Sequence, residues 1–446
     1  MEHKVLARYP IGNPRRAWKQ DNFILGIVSP GPFDIDVDDP MMARKTRRSV
    51  QTAVEAGFTL IGSLWSSPSV SSEILHTTEQ LGARMLFQNM KRCGGMGDKN
   101  IFCKKHDLEG LLRELAPWKS LYGVWMWDEP LLDEHLALTR ELNDRCQRIR
   151  PDILPVNVAV PSYNDRFCWD NGQYTEYIRK YMDVIDPAQM MFDYYPIGLP
   201  GFKKEEQLDG VYPRESTLWC DLEMVRREAQ ARDIPFWFMY QGCKFHFYPH
   251  IERFVFPMVR AMANSGILHG AKALDYYAEF EGVIDPETGG KGYFFREQKQ
   301  LNQELKVLGN TLMALTCQRV IHDETLLPGF PHMEGLRSTM AESELLTGKL
   351  NPRVSVSEHS DAYGNRYLMV LNRDYEQDAY MELRLKAKSH VHRVSREDGE
   401  EQFLFYAVEK LPVHLAPGDL ALYRLQPADT APFSVEYQLE KSIPGK

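Results

Sequence analysis

A chain of 446 residues, 43% apolar and 26% charged, has an ordinary globular composition and is long enough for a barrel-sized core with a second unit beside it. Its formal charge of -9 comes from interspersed acids and bases, and the short run Arg44-Lys45-Thr46-Arg47-Arg48 reads as the wet face of a helix, so no nucleic acid is expected as a partner. No stretch approaches the ~20 uninterrupted apolar residues that crossing a bilayer requires, so no membrane partner is expected either.

The amino terminus, Met1-Glu2-His3-Lys4-Val5-Leu6-Ala7-Arg8, has no apolar stretch behind a basic start, which predicts no secretory leader. Seven cysteines stand at 93, 103, 146, 168, 220, 243 and 317 with no Cys-x-x-Cys pair. An odd, scattered set fits reduced thiols in a cytoplasm better than a disulfide framework. The composition is compatible with a homo-oligomer and does not require one.

From about residue 23 to 316, short β-branched or aromatic runs alternate with amphipathic stretches, the pattern of parallel strands joined by crossover helices. The predicted strands are Phe23–Val28, Thr59–Leu64, Arg84–Gln88, Gly123–Trp127, Leu154–Val160, Met190–Tyr194, Pro235–Tyr240 and Ala271–Tyr276. Between and after them lie helical stripes, such as Ile251, Phe254, Val255, Met258, Val259 and Met262, then Leu301, Leu305, Leu308, Leu312 and Leu315. Eight strand-then-helix units predict a (β/α)₈ TIM barrel over residues 1–316. A doubly wound sheet is the alternative, but Ser29-Pro30-Gly31-Pro32 puts two prolines where its phosphate turn needs backbone donors. The cluster Gly94-Gly95-Met96-Gly97 lacks the lysine spacing of a nucleotide loop.

Residues 317–350, rich in Pro, Gly and polar types, predict a linker. Residues 351–446 predict a small antiparallel β-sandwich, with strands Arg353–Glu358, Arg366–Asn372, Tyr380–Leu385, His390–Val394, Gln402–Tyr406 and Leu420–Leu425.

A barrel of this kind builds its active site at the carboxyl ends of its strands. Those ends are rich in aromatic, amide and acidic residues: Trp65, Gln88, Asn89, Trp125, Trp127, Asp128, Glu129, Asn157, Asp193, Tyr194, Tyr195, Trp237, Tyr240, Gln241, Asp275, Tyr276, Tyr277, Glu279 and Glu281. Aromatic faces stack on the C–H faces of a pyranose, and amides and carboxylates take its hydroxyls. Large aromatics also dominate ordinary cores, and strand alternation turns only some of these side chains toward a pocket. The sharpest signal is Trp127-Asp128-Glu129-Pro130: an acid at the end of strand four, among aromatics that exclude water, can hold a proton near neutral pH. The same residues could also cap the following helix, with Pro130 at its start.

Strand four ending in Asp128-Glu129-Pro130, strand six ending in Phe192-Asp193-Tyr194-Tyr195-Pro196, and a barrel followed by a sandwich together resemble the clan of (β/α)₈ retaining glycoside hydrolases, especially its β-galactosidase-like members. The resemblance implies Glu129 as general acid/base, with Asp128 replacing the Asn that holds the sugar 2-hydroxyl. It departs at strand seven, where Gln241 stands in place of the clan's nucleophilic Glu, and a neutral amide cannot form a glycosyl ester.

The expected function is therefore hydrolysis of small oligosaccharides or glycosides by Glu129, with Glu279 as the second carboxylate and Asp193 or Glu281 behind it. Trp65, Asn89, Trp127, Asp128, Asn157, Asp193, Tyr195, Trp237, Tyr240, Gln241, Tyr277 and Glu281 are the expected sugar contacts. A carbohydrate is the only partner called for, and neither cofactor nor metal. His246 and His250 are separated by Pro249, and no glutamate lies between them, so no zincin-type site is expected. Two other classes compete: a non-catalytic sugar-binding relative of such an enzyme, and a metal-dependent barrel lyase or isomerase using Asp128, Glu129 and Asp193 as ligands.

Overall fold

A computed structural model describes residues 10–28, 40–63, 66–88, 107–162, 173–197, 213–244, 254–278, 281–322 and 338–429. Eight parallel strands close into a barrel: β1 (Ile24–Val28), β2 (Leu60–Gly62), β3 (Arg84–Phe87), β4 (Leu121–Asp128), β5 (Leu154–Ala159), β6 (Met190–Tyr194), β7 (Phe236–Gln241) and β8 (Ala273–Tyr277), with β8 hydrogen-bonded back to β1. The helices among the described residues are α1 (Pro40–Glu55), α2 (Pro68–Leu81), α3 (Leu108–Glu114), α4 (Asp133–Ile149), α5 (Gln173–Ile185), α6 (Pro213–Ala231), α7 (Phe256–Leu268) and α8 (Phe295–Ala314). None of them is long and apolar enough to cross a membrane. Each predicted strand is present, with ends displaced by a residue or two.

These strands read as nearly continuous apolar runs because both their faces are covered. Ile24, Val28, Leu60, Leu86, Trp125, Val156, Val158, Met191, Trp237, Met239 and Ala273 pack together inside the barrel. Their neighbours of opposite parity, among them Leu25, Ile27, Phe192, Tyr194, Phe238, Tyr240, Leu274 and Tyr276, join the layer beneath the helices. Two irregularities break the alternation, both in β4, the first where the β3–β4 register shifts between Met85 and Leu86 and passes over Tyr122. The β4–β5 register slips between Trp125 and Trp127. Met126 joins the outer layer, and Trp127 lies against the His135 ring on α4 at 4.7 Å. The bulge resets the parity of everything after it.

The amino-terminal end of the barrel is plugged. Trp18 packs edge-on to Tyr122 and Trp237 at 5.9 and 6.2 Å, and Gln20 accepts from Trp237 Nε1 at 2.8 Å while donating to the Lys272 carbonyl at 2.7 Å. A ligand reaching the interior therefore enters from the other end, where the strands finish.

The carboxyl-terminal unit is a curled antiparallel sheet of seven strands in the order β10-β13-β15-β12-β11-β9, with β14 on the outer side of β13. These strands are β9 (Thr316–His322), β10 (Leu346–Thr347), β11 (Val354–Ser360), β12 (Arg366–Asn372), β13 (Ala379–Val394), β14 (Glu401–Leu415) and β15 (Leu420–Pro427). Two differences from expectation follow from pairing. β9 leaves α8 almost directly and pairs with β11, so the sheet begins inside the stretch expected as a linker. Tyr380–Leu385 and His390–Val394 are one strand, curled by register shifts between Arg384 and His392, where two were predicted.

The sheet docks on α7 through the turn before β15. Asn264 Nδ2 donates to the Gly418 carbonyl at 2.8 Å, and Arg260 and Arg396 both reach Asp419, at 3.0 and 2.7 Å. Gly418 has φ 70°, and a Cβ there would lie 2.3 Å from the Pro257 carbonyl oxygen. Only glycine fits both the turn and the approach.

Candidate active site

Glu129 follows the last residue of β4 with φ 57°, a left-handed conformation uncommon for a residue with a side chain. Its N–H still donates to the Val158 carbonyl at 3.1 Å, so the β4–β5 ladder runs one residue past the strand while the chain turns away. A left-handed non-glycine residue costs on the order of 1–3 kcal/mol and survives only where its surroundings hold it. Here the clamp is visible. Tyr177 on α5 donates to the Pro130 carbonyl at 3.0 Å and accepts from the Val160 N–H at 3.2 Å, and Tyr174 donates to the Val160 carbonyl at 2.8 Å.

Alternation counted from the outward-facing Trp127, past the bulge, would place Asp128 inward and Glu129 outward. The left-handed step instead keeps both carboxyls within electrostatic reach of Asp193, an inward residue of β6. Asp193 is buried and Asp128 and Glu129 are half-buried, and loss of hydration is the main reason each holds its proton to higher pH than usual. Asp128 is pushed up to about 7, and Glu129 to about 8 with the neighbouring Asp128 charge adding to burial. Asp193 is raised well above the usual carboxylate range by burial, then by Glu129 and Asp128, partly offset by a hydrogen bond with Tyr195. Its Oδ1 is buried with no hydrogen-bond partner among the described residues.

Around these acids the described wall is aromatic. The rings of Tyr195 and Tyr277 lie 4.8 Å apart, both half-buried, and the Tyr195 hydroxyl is 2.8 Å from Met239 Sδ on β7. Asp128, Glu129, Asp193, Tyr195 and Tyr277 are thus brought to one end of the barrel. Gln241 is there too, but its amide is engaged: it accepts from the Ile197 N–H at 2.8 Å and donates to the Ile197 and Cys243 carbonyls at 2.9 and 3.2 Å. It ties the segments after β6 and β7 together.

Four expected sugar contacts stand elsewhere, and a fifth is exposed. Trp127 and Asn157 face outward to α4, because the bulge turns the first and parity the second; Asn157 Nδ2 donates to Asn143 Oδ1 at 3.2 Å. Trp237 is only the second residue of β7 and belongs to the plugged end. Tyr240 faces the helices, its hydroxyl accepting from Gln298 Nε2 on α8 at 3.2 Å. Glu281 is exposed, and its backbone carbonyl accepts from the Tyr293 hydroxyl at 2.8 Å. Trp65, Asn89 and Glu279, as well as His246 and His250, lie outside the described residues.

Two features escaped the sequence reading. The Tyr174–Tyr177 clamp comes from a helix, where strand-end reasoning does not look. Asp275 was seen at the end of strand eight but not singled out; its spacing of two from Ala273 and Tyr277, both inward, is the signal that would have marked it. Among the described residues no group of three or more His, Cys, Asp or Glu side chains is arranged to hold a metal ion.

No protein-family model matches the sequence, and no curated protein matches it. Solved structures do. A Bacteroides fragilis protein described as a proposed α-galactosidase superposes with a TM-score of 0.51 at 9% identity, over 91% of this chain and 79% of that one. A second proposed α-galactosidase/melibiase from Bacteroides fragilis gives 0.49 at 12% identity, over 91% and 79%. A family-27 β-L-arabinopyranosidase from Geobacillus stearothermophilus gives 0.45 at 12% identity, over 92% and 98%. At such identities the likeness of the first is one of fold: a (β/α)₈ barrel carrying a carboxyl-terminal antiparallel sheet.

Proposed function

We propose that the protein is a glycoside hydrolase acting on small glycosides or oligosaccharides, with Glu129 as the proton donor to the leaving oxygen. The observation that carries this reading is the group of carboxyls, Asp128, Glu129 and Asp193, gathered at the carboxyl ends of the strands, each holding its proton to higher pH than usual. All three are raised by loss of hydration, and Glu129 and Asp193 also by the neighbouring acid charge, so they titrate as a coupled set in which one member keeps its proton after another has ionised. Two acids that divide in this way supply a carboxylate and a carboxylic acid at one pH. As the C1–O bond breaks, the Glu129 proton passes to the departing oxygen, Asp128 stabilises the positive charge growing on the sugar ring, and the water that adds its hydroxyl to C1 gives its other proton to a second catalytic carboxylate. Tyr195 and Tyr277 offer faces for the ring. The barrel fold shared with a structure described as an α-galactosidase accommodates this chemistry.

The second catalytic carboxylate is proposed to be Glu279, on the sequence alone, with Asp193 its rival, and Glu279→Gln and Asp193→Asn separate them: only the variant of the true partner loses turnover with every leaving group. For Glu129, the test is Glu129→Gln assayed on aryl glycosides of graded leaving-group acidity. Turnover should fall about 10²–10⁴-fold with a poor leaving group and far less with dinitrophenol, which departs without a proton. A variant that turns over the poor leaving group at the parental rate removes Glu129 from the chemistry.

A second reading, sugar binding without turnover, is favoured by Gln241, whose amide is spent on backbone where a nucleophile would be wanted. Tight calorimetric binding of a glycan that is never cleaved would support it over hydrolysis.

A further inference from the structure

Away from the Gly418 turn, the carboxyl-terminal sheet also meets the barrel where β9 and β11 lie against the ends of α6 and α7. Arg226 Nη1 and Gln230 Nε2 on α6 both donate to the Cys317 carbonyl on β9 at 2.8 Å, and the Cys317 thiol donates to the carbonyl of Leu268, the last residue of α7, at 3.6 Å. Two buried imidazoles stand in this seam. His269 follows α7, and its Nδ1 lies 2.9 Å from the Ser265 carbonyl, which can only accept, so the neutral ring carries its proton there. Its Nε2, where a second proton would go, is buried with no hydrogen-bond partner among the described residues. His359 on β11 is opposite Cys317, with its Nε2 2.7 Å from Ser357 Oγ.

The charges around these rings are mostly positive. From α6 come Arg226, Arg227 and Glu223, whose carboxylate accepts from both arginines. Lys272, just before β8, donates to the Leu312 and Leu315 carbonyls and forms no ion pair among the described residues. Arg373, after β12, lies over the Trp219 ring at 5.8 Å, and that ring stacks on His269 at 5.7 Å. Asp361 and Asp233 border the same cavity, the first with its carboxylate engaged by the Tyr363 and Asn365 N–H groups of its own turn, the second exposed. Burial pushes the Cys317 thiol up to about 12, so it brings no charge at neutral pH, and His322 on β9 is a third imidazole, 4.9 Å from the Trp219 ring with Nδ1 2.6 Å from Ser355 Oγ. Glu223, already shared by two arginines, favours a proton on His269, whereas the charges on Lys272 and Arg226 oppose one on His359. Each protonated ring would thus add a cation to a crowded, water-poor place, which is costly without a new partner.

We infer that this seam is an acid-opened joint: protons taken up by His269 and His359 part β9 and β11 from the ends of α6 and α7, so that the sheet is held to the barrel near neutrality and loosened in acid. Burial keeps both rings neutral, lowering His269 to about 4, which Glu223 and the Ser265 carbonyl partly offset, and His359 to about 3, with Lys272 and Arg226 adding to the effect. Both values lie below the ordinary 6.5, so the closed seam binds fewer protons than the open one. Its hold is complete above 6.5 and is lost as pH falls from there toward 4.

The test follows hydrogen–deuterium exchange of the full chain from about pH 7 to about pH 5, each rate corrected for the intrinsic pH dependence of amide exchange. An opening that returns both rings to ordinary proton affinity becomes about 10²–10³-fold more frequent over that range. Amides of β9 and β11 should lose that much protection, while those of the barrel strands β7 and β8 lose less than about tenfold. His269→Gln and His359→Gln should each remove about tenfold or more of the pH effect, and the double variant nearly all of it. Protection of seam and barrel falling in step, or seam protection holding steady throughout, overturns the inference, and both are read on the parent whether or not the variants fold. So does a parental pH effect in the folded double variant.

Discussion

Glu129 and Asp128 are the residues whose chemistry is most exposed to pH. Both carry folded-state pKa values above their ordinary ones, about 8 and about 7, because burial penalises the charged forms. For an acid raised in this way the native state binds more protons than the unfolded chain between the two pKa values, so stability is greatest at low pH and falls as pH rises through that window. Heating scans between pH 5 and 8 should therefore show Glu129→Gln gaining on the parent as pH rises, by about 2 °C or more at pH 8, and the gap closing toward pH 5. A gap that widens toward acid would show the carboxylate, not the acid, to be the favoured native form. Activity should follow a narrow bell whose limbs, belonging to the coupled acids together, lie near 7 and 8. Asp128→Asn should remove the acidic limb in an initial-rate profile.

At the scale of elements, the end of β4 is where local geometry and chemistry meet. The left-handed Glu129 is held by Tyr177, whose hydroxyl joins the Pro130 carbonyl to the Val160 N–H. Tyr177→Phe keeps the ring and removes both bonds. It should cost about 1–2 kcal/mol of stability and lower kcat about tenfold or more with little change in KM, since the acid shifts while the sugar-binding surfaces stay. Denaturant melts and steady-state kinetics together check this, and a change in KM alone would count against it. The same element shows what a sequence reveals and what it hides. The strands were legible because a parallel barrel makes each a short apolar run, and Asp128-Glu129-Pro130 stood out as an acidic end to an aromatic one. Which face each residue takes was not legible, because runs apolar on both sides carry no alternation to read. Trp127 was misplaced by a one-residue bulge that leaves no mark in the sequence, and Tyr240 by simple parity. Trp237 was misplaced along the strand, its indole serving the plugged end that Gln20 and Trp18 close from outside the barrel units.

For the molecule as a whole, the carboxyl-terminal sheet shares a boundary with α7 and α8. The joint is specific: Gly418 lies against the Pro257 carbonyl, Asn264 grips the Gly418 carbonyl, and Asp419 receives Arg260 and Arg396, with Arg396 also 3.4 Å from Glu304 on α8. These charges are mostly sheltered, so they are screened less than surface pairs, and the turn cannot move away without leaving them unmatched. A side chain at 418 must meet a backbone oxygen that cannot swing aside, in a left-handed conformation that β-branched residues resist. Gly418→Val should therefore lower the melting temperature by several degrees, a loss of about 2–4 kcal/mol, and open the turn to limited proteolysis. Because no described hydrogen bond or ion pair joins this turn to Asp128, Glu129 or Asp193, kcat per folded molecule should remain at the parental value below the transition. A loss of kcat at full foldedness would mean that the sheet positions the barrel's acids through α7, and that the two units work as one.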